Sequence, residues 1–406
     1  MSRVHPVAAL VRAVTAVPAL LRVAPSLSVF LAGYLRRFPA TDIGGHLVLH
    51  SHLPPLDSPA YARFVRLHLV DRIDGPSHAQ IAVTAGCPQR CAVCYNRDRA
   101  GRPLDDTELR GAIEDLIASG VVWLGLTGGE PLLRSDLPEL VALGRGRCAV
   151  KLFTTGMGMT RDRVAALRDA GLASVSVSID HPDEATNDAG RGFPGAWRAA
   201  LDAIDGFLAA GNVHVGISAV LTRSGICRPE EIDRLLSFAA ARGIHELWLS
   251  EAKPTVAALW HEDLVLTEDE RRSVADYQDQ WNRAVRAGRG SVTLNYLGHF
   301  EGAEQFGCNA GRKMVYVDPF GEVCPCVFTP FSLGNLRDRP LGAIVAEMKH
   351  RFPSGDRCFM NRNWPLIATL SGGRLPMDRG AAQALVEQAD FGGLSAFNQR
   401  YLGRRH

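Results

Sequence analysis

The chain has 406 residues, 46% of them hydrophobic and 22% charged, with a formal net charge of only +2. That is the composition of a globular protein long enough for one large domain and one or two smaller ones. It excludes a disordered or fibrous chain, and with no basic run carrying interleaved aromatics it points away from a nucleic-acid partner.

The N-terminal region, residues 1–78, opens with an apolar segment. From Pro6 to Leu35 it is mostly Ala, Val and Leu, broken by Arg12 and Arg22 and closed by Arg36 and Arg37. Its longest uncharged stretch, Val23 to Leu35, is too short to cross a hydrocarbon core of roughly 30 Å. Two readings fit equally. One is a helix pair packed on the main domain. The other is peripheral membrane contact through residues 6–37, with the arginines at the headgroups.

From about residue 79 the pattern becomes regular. Ala79 to Thr84 reads as a strand leading into a cysteine loop. A helix follows, with Asp105 or Asp106 as N-cap, an apolar face of Leu109, Ile113, Leu116 and Ile117, and Gly120 as its stop. Val121 to Leu126 is a continuous apolar run, as in a strand buried on both faces. The alternation repeats through a strand at Ala149 to Phe153, a helix from Thr160 to Gly171, a strand at Ala173 to Ile179 and a helix at Ala196 to Ala209. A strand at Val213 to Leu221, a helix with Pro229 in its first turn, and a strand at Glu246 to Leu249 complete the series. Strands alternating with helices imply an α/β fold, a partial (β/α)6 TIM-like barrel with its chemistry in the loops at the strand C-termini. A polar helix, roughly Thr267 to Ala287, leads out of this core. Met314 to Cys326 reads as a hairpin turning at Asp318-Pro319-Phe320-Gly321. The segment after about residue 350 reads as irregular.

Nine cysteines are present. Most fall in two groups, which argues against a secreted disulfide framework and for metal binding in a reducing compartment, hence the cytoplasm or, if the N-terminus touches lipid, the inner membrane face. Cys87, Cys91 and Cys94 form a Cys-x3-Cys-x2-Cys triplet. An iron–sulfur cube is usually held by four thiolates, so three on one loop leave one iron open for a small molecule. A zinc knuckle is the alternative, but no fourth Cys or His lies nearby in sequence.

This triplet after the first strand, with Thr127-Gly128-Gly129-Glu130-Pro131-Leu132 after the second, resembles the radical S-adenosylmethionine superfamily over about residues 79–250. One departure is Val93 before the third cysteine, where an aromatic residue is usual; Tyr95 follows it. The resemblance implies a 4Fe-4S cluster on Cys87, Cys91 and Cys94, with S-adenosyl-L-methionine on its open iron. It implies reductive cleavage to a 5′-deoxyadenosyl radical that abstracts hydrogen from the substrate, with electrons from a reductase such as flavodoxin or ferredoxin. It further assigns Gly128, Gly129 and Glu130 to the amino group of the methionine moiety, and Ser178 and Asp180 of Ser176-Val177-Ser178-Ile179-Asp180 to its ribose or carboxylate. Arg191 matches a recurring Arg-Gly and is suited to pair with the methionine carboxylate.

The second group is Cys308, Cys324, Cys326 and Cys358. The spacing Cys308-x12-Gly321-x4-Cys326 resembles the start of SPASM and twitch auxiliary-cluster domains, which implies a further 4Fe-4S cluster. Cys324 and Cys326, at i and i+2, can face the same side of a strand. Three or four thiols as ligands, or a four-cysteine zinc site, all remain open at this point. Cys148 and Cys227 read as buried thiols. The expected organisation is then an apolar helical region at 1–78, the core barrel at 79–300, a SPASM/twitch-like domain at 301–365 and a C-terminal tail at 366–406.

Relatives with such a domain modify peptides or oxidise small molecules. The apolar N-terminus, which lacks an alternating strand pattern, favours a small-molecule or lipid-like substrate. A SPASM-type peptide maturase is the alternative, and a non-catalytic iron–sulfur electron-transfer protein is the alternative of another class. Glu251, Tyr296 and His299 are candidate proton-transfer groups.

Overall fold

In the computed structural model, which describes residues 2–259 and 264–402, the apolar runs become strands and the amphipathic runs helices. The strands are β1 (Ser2–Arg3), β2 (Thr41–Ile43), β3 (His46–Val48), β4 (His78–Ala82), β5 (Trp123–Thr127) and β6 (Ala149–Thr154). They continue as β7 (Leu172–Ser178), β8 (His214–Leu221), β9 (Glu246–Glu251), β10 (Thr293–Tyr296), β11 (Met314–Val317) and β12 (Val323–Cys324). A nine-stranded sheet runs in the order β10-β9-β8-β7-β6-β5-β4-β11-β12. From β4 to β10 every pair is parallel, which needs the helical crossovers that the sequence supplies.

The helix Asp106–Ala118 shows how local chemistry sets a boundary. Asp105 accepts from the Glu108 N–H, Glu108 accepts from the Asp105 N–H, and Leu109, Ile113, Leu116 and Ile117 are buried on one face. Thr160 caps the helix Arg161–Ala170, and Gly171 ends it in the left-handed conformation.

Three features differ from the sequence reading. First, β10 adds a seventh parallel strand to the six expected. It has only four residues, and Asn282 of the preceding helix holds it through the Leu294 N–H (3.0 Å) and C=O (2.8 Å). Second, the hairpin β11–β12 does not stand apart: β11 pairs in parallel with β4, covering what would otherwise be an open sheet edge. Third, the C-terminal segment is helical, over Phe359–Ser371, Arg379–Gln388 and Ala396–Leu402, although Pro365 lies inside the first of these. An internal proline usually ends a helix, so the sequence here argued against the observed structure.

Residues 6–35 form the helices Pro6–Ala16 and Pro25–Leu35, joined by a short turn of helix. They share an apolar core with Leu47, Tyr61, Phe397 and Tyr401, and the last helix packs on Pro25–Leu35, where Phe397 meets Phe30. Among the described residues no helix is long and apolar enough to cross a membrane. Val7, Leu10, Val11, Leu21 and Val29 remain exposed on these helices.

The segment after β3 fills the barrel from the end where its strands begin. Ser51 is buried there. Its hydroxyl accepts from Lys151 Nζ (2.6 Å) and donates to Glu246 Oε1 (2.6 Å), and its N–H donates to Glu246 Oε2 (2.7 Å). Trp123 Nε1 donates to the Ser51 carbonyl at 2.8 Å, and the next residue, His52, stacks on the Trp123 ring. Lys151 and Glu246 are fully buried, and the ammonium also lies 4.6 Å from the Phe153 ring centroid. Burial pushes Lys151 down to about 7, while Glu246 draws it back up.

Candidate functional site

The opposite end of the barrel, where β4 and β5 finish, carries the cysteine loop. The loop is clamped from two sides. On one, Gly129 N–H donates to the Thr84 carbonyl and Glu130 N–H to the Gly86 carbonyl, both at 2.7 Å. A Cβ on Gly129 would stand 1.9 Å from the Gly86 oxygen, and one on Gly128 (φ +135°) 2.4 Å from that of Thr84. The two glycines are thus needed for the turn to meet the cysteine loop backbone to backbone. On the other side, Arg90 N–H donates to the Arg191 carbonyl at 3.0 Å. Tyr95, just after the third cysteine, bonds Thr127 Oγ1 at 2.8 Å.

Cys87, Cys91 and Cys94 line one cavity of about 260 Å³ together with Gly128, Gly129, Ser178 and Arg191. Burial raises the Cys87 thiol to about 11 and shifts Cys94 upward as well. The Arg191 guanidinium places Nη1 3.8 Å from Cys91 Sγ and Nη2 2.9 Å from Asp180 Oδ2. Its Nε is buried with no partner. Three unbridged thiols, a side-chain-free backbone stretch and a buried N–H awaiting an acceptor fit an open-iron cluster and a ligand bearing a carboxylate.

Two of the expected cofactor contacts sit behind the wall instead. Glu130 is fully buried, and both its oxygens are occupied. Oε1 accepts from Leu132 N–H (2.9 Å) and Thr154 Oγ1 (2.6 Å); Oε2 accepts from Thr155 N–H and Oγ1, both at 2.6 Å. It braces the turn against the end of β6 and is not among the residues lining the cavity. Asp180 likewise lies outside the lining. It accepts from Val220 N–H at 2.9 Å and holds Arg191, so it positions that arginine.

The second cysteine group divides. Cys308, Cys326 and Cys358 line the same cavity as the first triplet. Cys324 does not. The expectation that it shares a strand face with Cys326 fails because β12 ends at Cys324 and the chain turns, with the Pro325 carbonyl accepting from Gly311 N–H (2.8 Å) and Thr329 N–H donating to that of Cys326 (3.1 Å). Among the described residues, no three Cys, His, Asp or Glu side chains converge closely enough for a single metal ion.

Beside these thiols lies a charged cluster that the sequence only half revealed. Lys253 Nζ, fully buried, donates to Glu301 Oε2 (2.7 Å) and Cys358 Sγ (3.2 Å). Glu251 accepts from Tyr296 OH at 2.6 Å and from Arg271 Nε at 2.8 Å. Of the candidate proton-transfer groups, Glu251 lines the cavity, Tyr296 stands behind it, and His299 is elsewhere, paired with Asp279 at 3.3 Å. Lys253 and Glu301 went unseen because neither belongs to a motif; a buried lysine two residues past β9 carries no signal in the sequence alone. The N-terminal region also contributes: His52 lines the cavity although it precedes the barrel by some 25 residues, a separation the sequence does not bridge.

Comparison with known proteins agrees with this geometry. Residues 81–236 match the family model described as the Radical SAM superfamily, and residues 308–363 match SPASM, an iron–sulfur cluster-binding domain. The mycofactocin maturase MftC of Mycolicibacterium smegmatis is 29% identical over 273 residues, covering 65% of this chain and 68% of that protein. The AdoMet-dependent heme synthase of Methanosarcina barkeri is 27% identical over 282 residues, covering 64% of this chain and 80% of that protein. In fold, the chain is similar to Streptococcus suis SuiB bound to the precursor peptide SuiA, with a TM-score of 0.55 at 15% identity, covering 67% of this chain and 65% of that one.

Proposed function

The chain belongs to the radical S-adenosylmethionine enzymes that carry a SPASM iron–sulfur domain, and from that premise we propose that it abstracts hydrogen from an apolar side chain of a peptide substrate. The observation that carries this reading is the single cavity onto which both cysteine groups open, with Phe153, Val220, Trp248 and Phe328 among its walls. The similarity to a maturase, and in fold to an enzyme bound to a precursor peptide, supports the substrate class. S-adenosylmethionine and its cluster at Cys87, Cys91 and Cys94 supply the radical chemistry when bound. The chain's own residues do the rest. Arg191, fixed by Asp180, offers its unpartnered Nε to a carboxylate. Gly128 and Gly129 admit a ligand against backbone. The aromatic and aliphatic walls exclude water from the reacting centre. Glu251, held by Tyr296 and Arg271, and Glu301, held by Lys253, are the two carboxylates on the cavity wall.

A second reading, an apolar small molecule, is favoured by one observation. A second apolar cavity of about 150 Å³, bordered by Tyr34, Tyr61, Phe64 and Phe397, shares the wall residues His52, Trp248, Leu297 and Phe300 with the first. The heme synthase is a relative with a non-peptide product in its name. The two readings separate in one assay. The reconstituted enzyme, S-adenosylmethionine and dithionite are incubated anaerobically with a peptide fraction or with a chloroform–methanol extract of the source cells. Formation of 5′-deoxyadenosine is expected to rise with the peptide fraction and to lose that rise after protease treatment of the fraction. A rise with the solvent extract alone, insensitive to protease, replaces the peptide reading with the second one.

A further inference from the structure

The four cysteines of the second group have two different environments. Cys324 is fully buried in a small cluster with Ala82, Tyr316 and Val327. Its Sγ accepts from Arg99 Nη1 at 3.3 Å. Arg99 is itself fixed: Nη2 donates to the Thr329 carbonyl at 2.8 Å, Nη1 pairs with Asp318 at 3.4 Å, and the guanidinium lies 5.3 Å from the Tyr316 ring centroid. A thiol held this way is committed to a structural contact: it packs behind Tyr95, Cys326, Val327 and Phe328 of the cavity wall without itself lining the cavity.

Cys308, Cys326 and Cys358 are arranged otherwise. Cys308 and Gly355 exchange backbone hydrogen bonds of 2.9 and 3.2 Å, which bring the chain just before Cys358 alongside Cys308. Each remaining sulfur has a donor that suits a thiolate: Phe328 N–H lies 3.3 Å from Cys326 Sγ, and Lys253 Nζ 3.2 Å from Cys358 Sγ. All three line the reaction cavity, and so does Glu301. Lys253 bridges Glu301 and Cys358, and the negative charge of Glu301 bears on all three thiols. No fourth thiol is at hand. Cys148 and Cys227 are buried in the barrel core, outside the cavity lining, and the other three cysteines belong to the first site.

We propose that the auxiliary cluster is held by three thiolates, Cys308, Cys326 and Cys358, with the Glu301 carboxylate at its fourth corner, and that Cys324 is not a ligand. This rests on the second site holding a 4Fe-4S cluster, as the family assignment requires, and not on the choice between peptide and small-molecule substrates. A cluster with four corners and three thiolates has one iron of different ligation. That iron faces the cavity in which the substrate reacts. A carboxylate corner is the one more readily displaced by an incoming donor atom, so the same cluster can serve as an electron acceptor or as an anchor for substrate.

The test isolates the second cluster in a Cys87→Ala/Cys91→Ala/Cys94→Ala background, reconstituted with ⁵⁷Fe and sulfide. Iron near four per chain is expected, with a Mössbauer spectrum in which one iron site is distinct from the other three. Adding Cys324→Ala or Cys324→Ser leaves the iron content and the spectrum of the reduced cluster unchanged. Adding Cys308→Ala, Cys326→Ala or Cys358→Ala removes most of the iron. Adding Glu301→Gln keeps the iron and shifts both the distinct Mössbauer site and the electron paramagnetic resonance of the reduced cluster. The proposal is overturned by a uniform four-thiolate Mössbauer spectrum, which needs no Cys324 variant to read. It is overturned equally by loss of iron in both Cys324 variants with native circular dichroism, or by an unchanged spectrum in Glu301→Gln.

Discussion

Gly129→Ala is expected to prevent the first cluster from assembling, although the substitution adds one methyl group and touches no cysteine. The added Cβ would lie 1.9 Å from the Gly86 carbonyl oxygen and 2.8 Å from that of Ala85. Both are backbone atoms, so no side chain can swing away. Either the turn or the cysteine loop must move, and the loop is also tied at Arg90 to the Arg191 carbonyl. A displacement of about 1 Å at a catalytic constellation costs on the order of a hundredfold in rate. The expected result is therefore a loss of about four irons per chain, the content of one cube. At least a hundredfold less 5′-deoxyadenosine should form, with the auxiliary cluster retained. Gly111→Ala, in an exposed helix turn where the new methyl meets nothing within 4 Å, serves as the control and should leave both quantities intact. Full iron content in Gly129→Ala would show that the clamp described here is not what holds the loop.

The second large effect concerns Glu246. Removing it by Glu246→Ala leaves Lys151 buried without its counter-charge and takes away both acceptors of Ser51. Breaking one side of a buried pair typically costs about 3–5 kcal/mol, because the remaining group is stranded in a poorly polarisable interior. The paired variant Lys151→Met/Glu246→Gln removes the stranded ammonium and should recover a good part of that loss. Urea denaturation of the cluster-free protein measures both. The site of the damage is equally specific. Residues 49–53 should become sensitive to limited proteolysis before the barrel does, because Lys151 and Glu246 are what fasten Ser51 inside it. A loss below about 1 kcal/mol for Glu246→Ala, under the range for a broken buried pair, would mean that the network is incidental.

These two results bear on what the sequence could and could not disclose. Local signals were readable. The helix start at Asp105 or Asp106, the stop at Gly120, the Gly171 C-terminus and the Asp318-to-Gly321 turn are each set by neighbours a few residues apart; the structure makes Asp105 the cap and places the others as the pattern predicts. The triplet and the glycine pair were readable too, since both are contiguous. What the sequence hid depends on distant partners. Glu130 looks like a cofactor contact beside two glycines, yet Thr154 and Thr155 claim its oxygens from the next strand. Asp180 reads as a strand-end ligand, but Arg191 and the Val220 N–H occupy it. Cys324 and Cys326 look equivalent by spacing, and only the turn after β12 separates them. The strand β10 is too short to register, and the helix Phe359–Ser371 is masked by its proline.

The same contrast applies to the N-terminal region. Its composition announced apolar helices, which the structure contains. Composition could not announce that the following segment, through Ser51 and His52, closes the barrel and contributes to the cavity wall. The region is thus part of the reaction chamber as well as an appendage to it. Its truncation should be judged by its effect on the barrel before any effect on substrate delivery is inferred.

The central claim is that this cavity cleaves S-adenosylmethionine by reduction. It is tested most directly by anaerobic incubation of the reconstituted full chain with S-adenosylmethionine and dithionite, followed by quantification of methionine and 5′-deoxyadenosine. Both products are expected in equal amounts from the wild type, and neither from Cys87→Ala/Cys91→Ala/Cys94→Ala. Absence of both products from wild-type protein whose first cluster has demonstrably assembled would contradict the account.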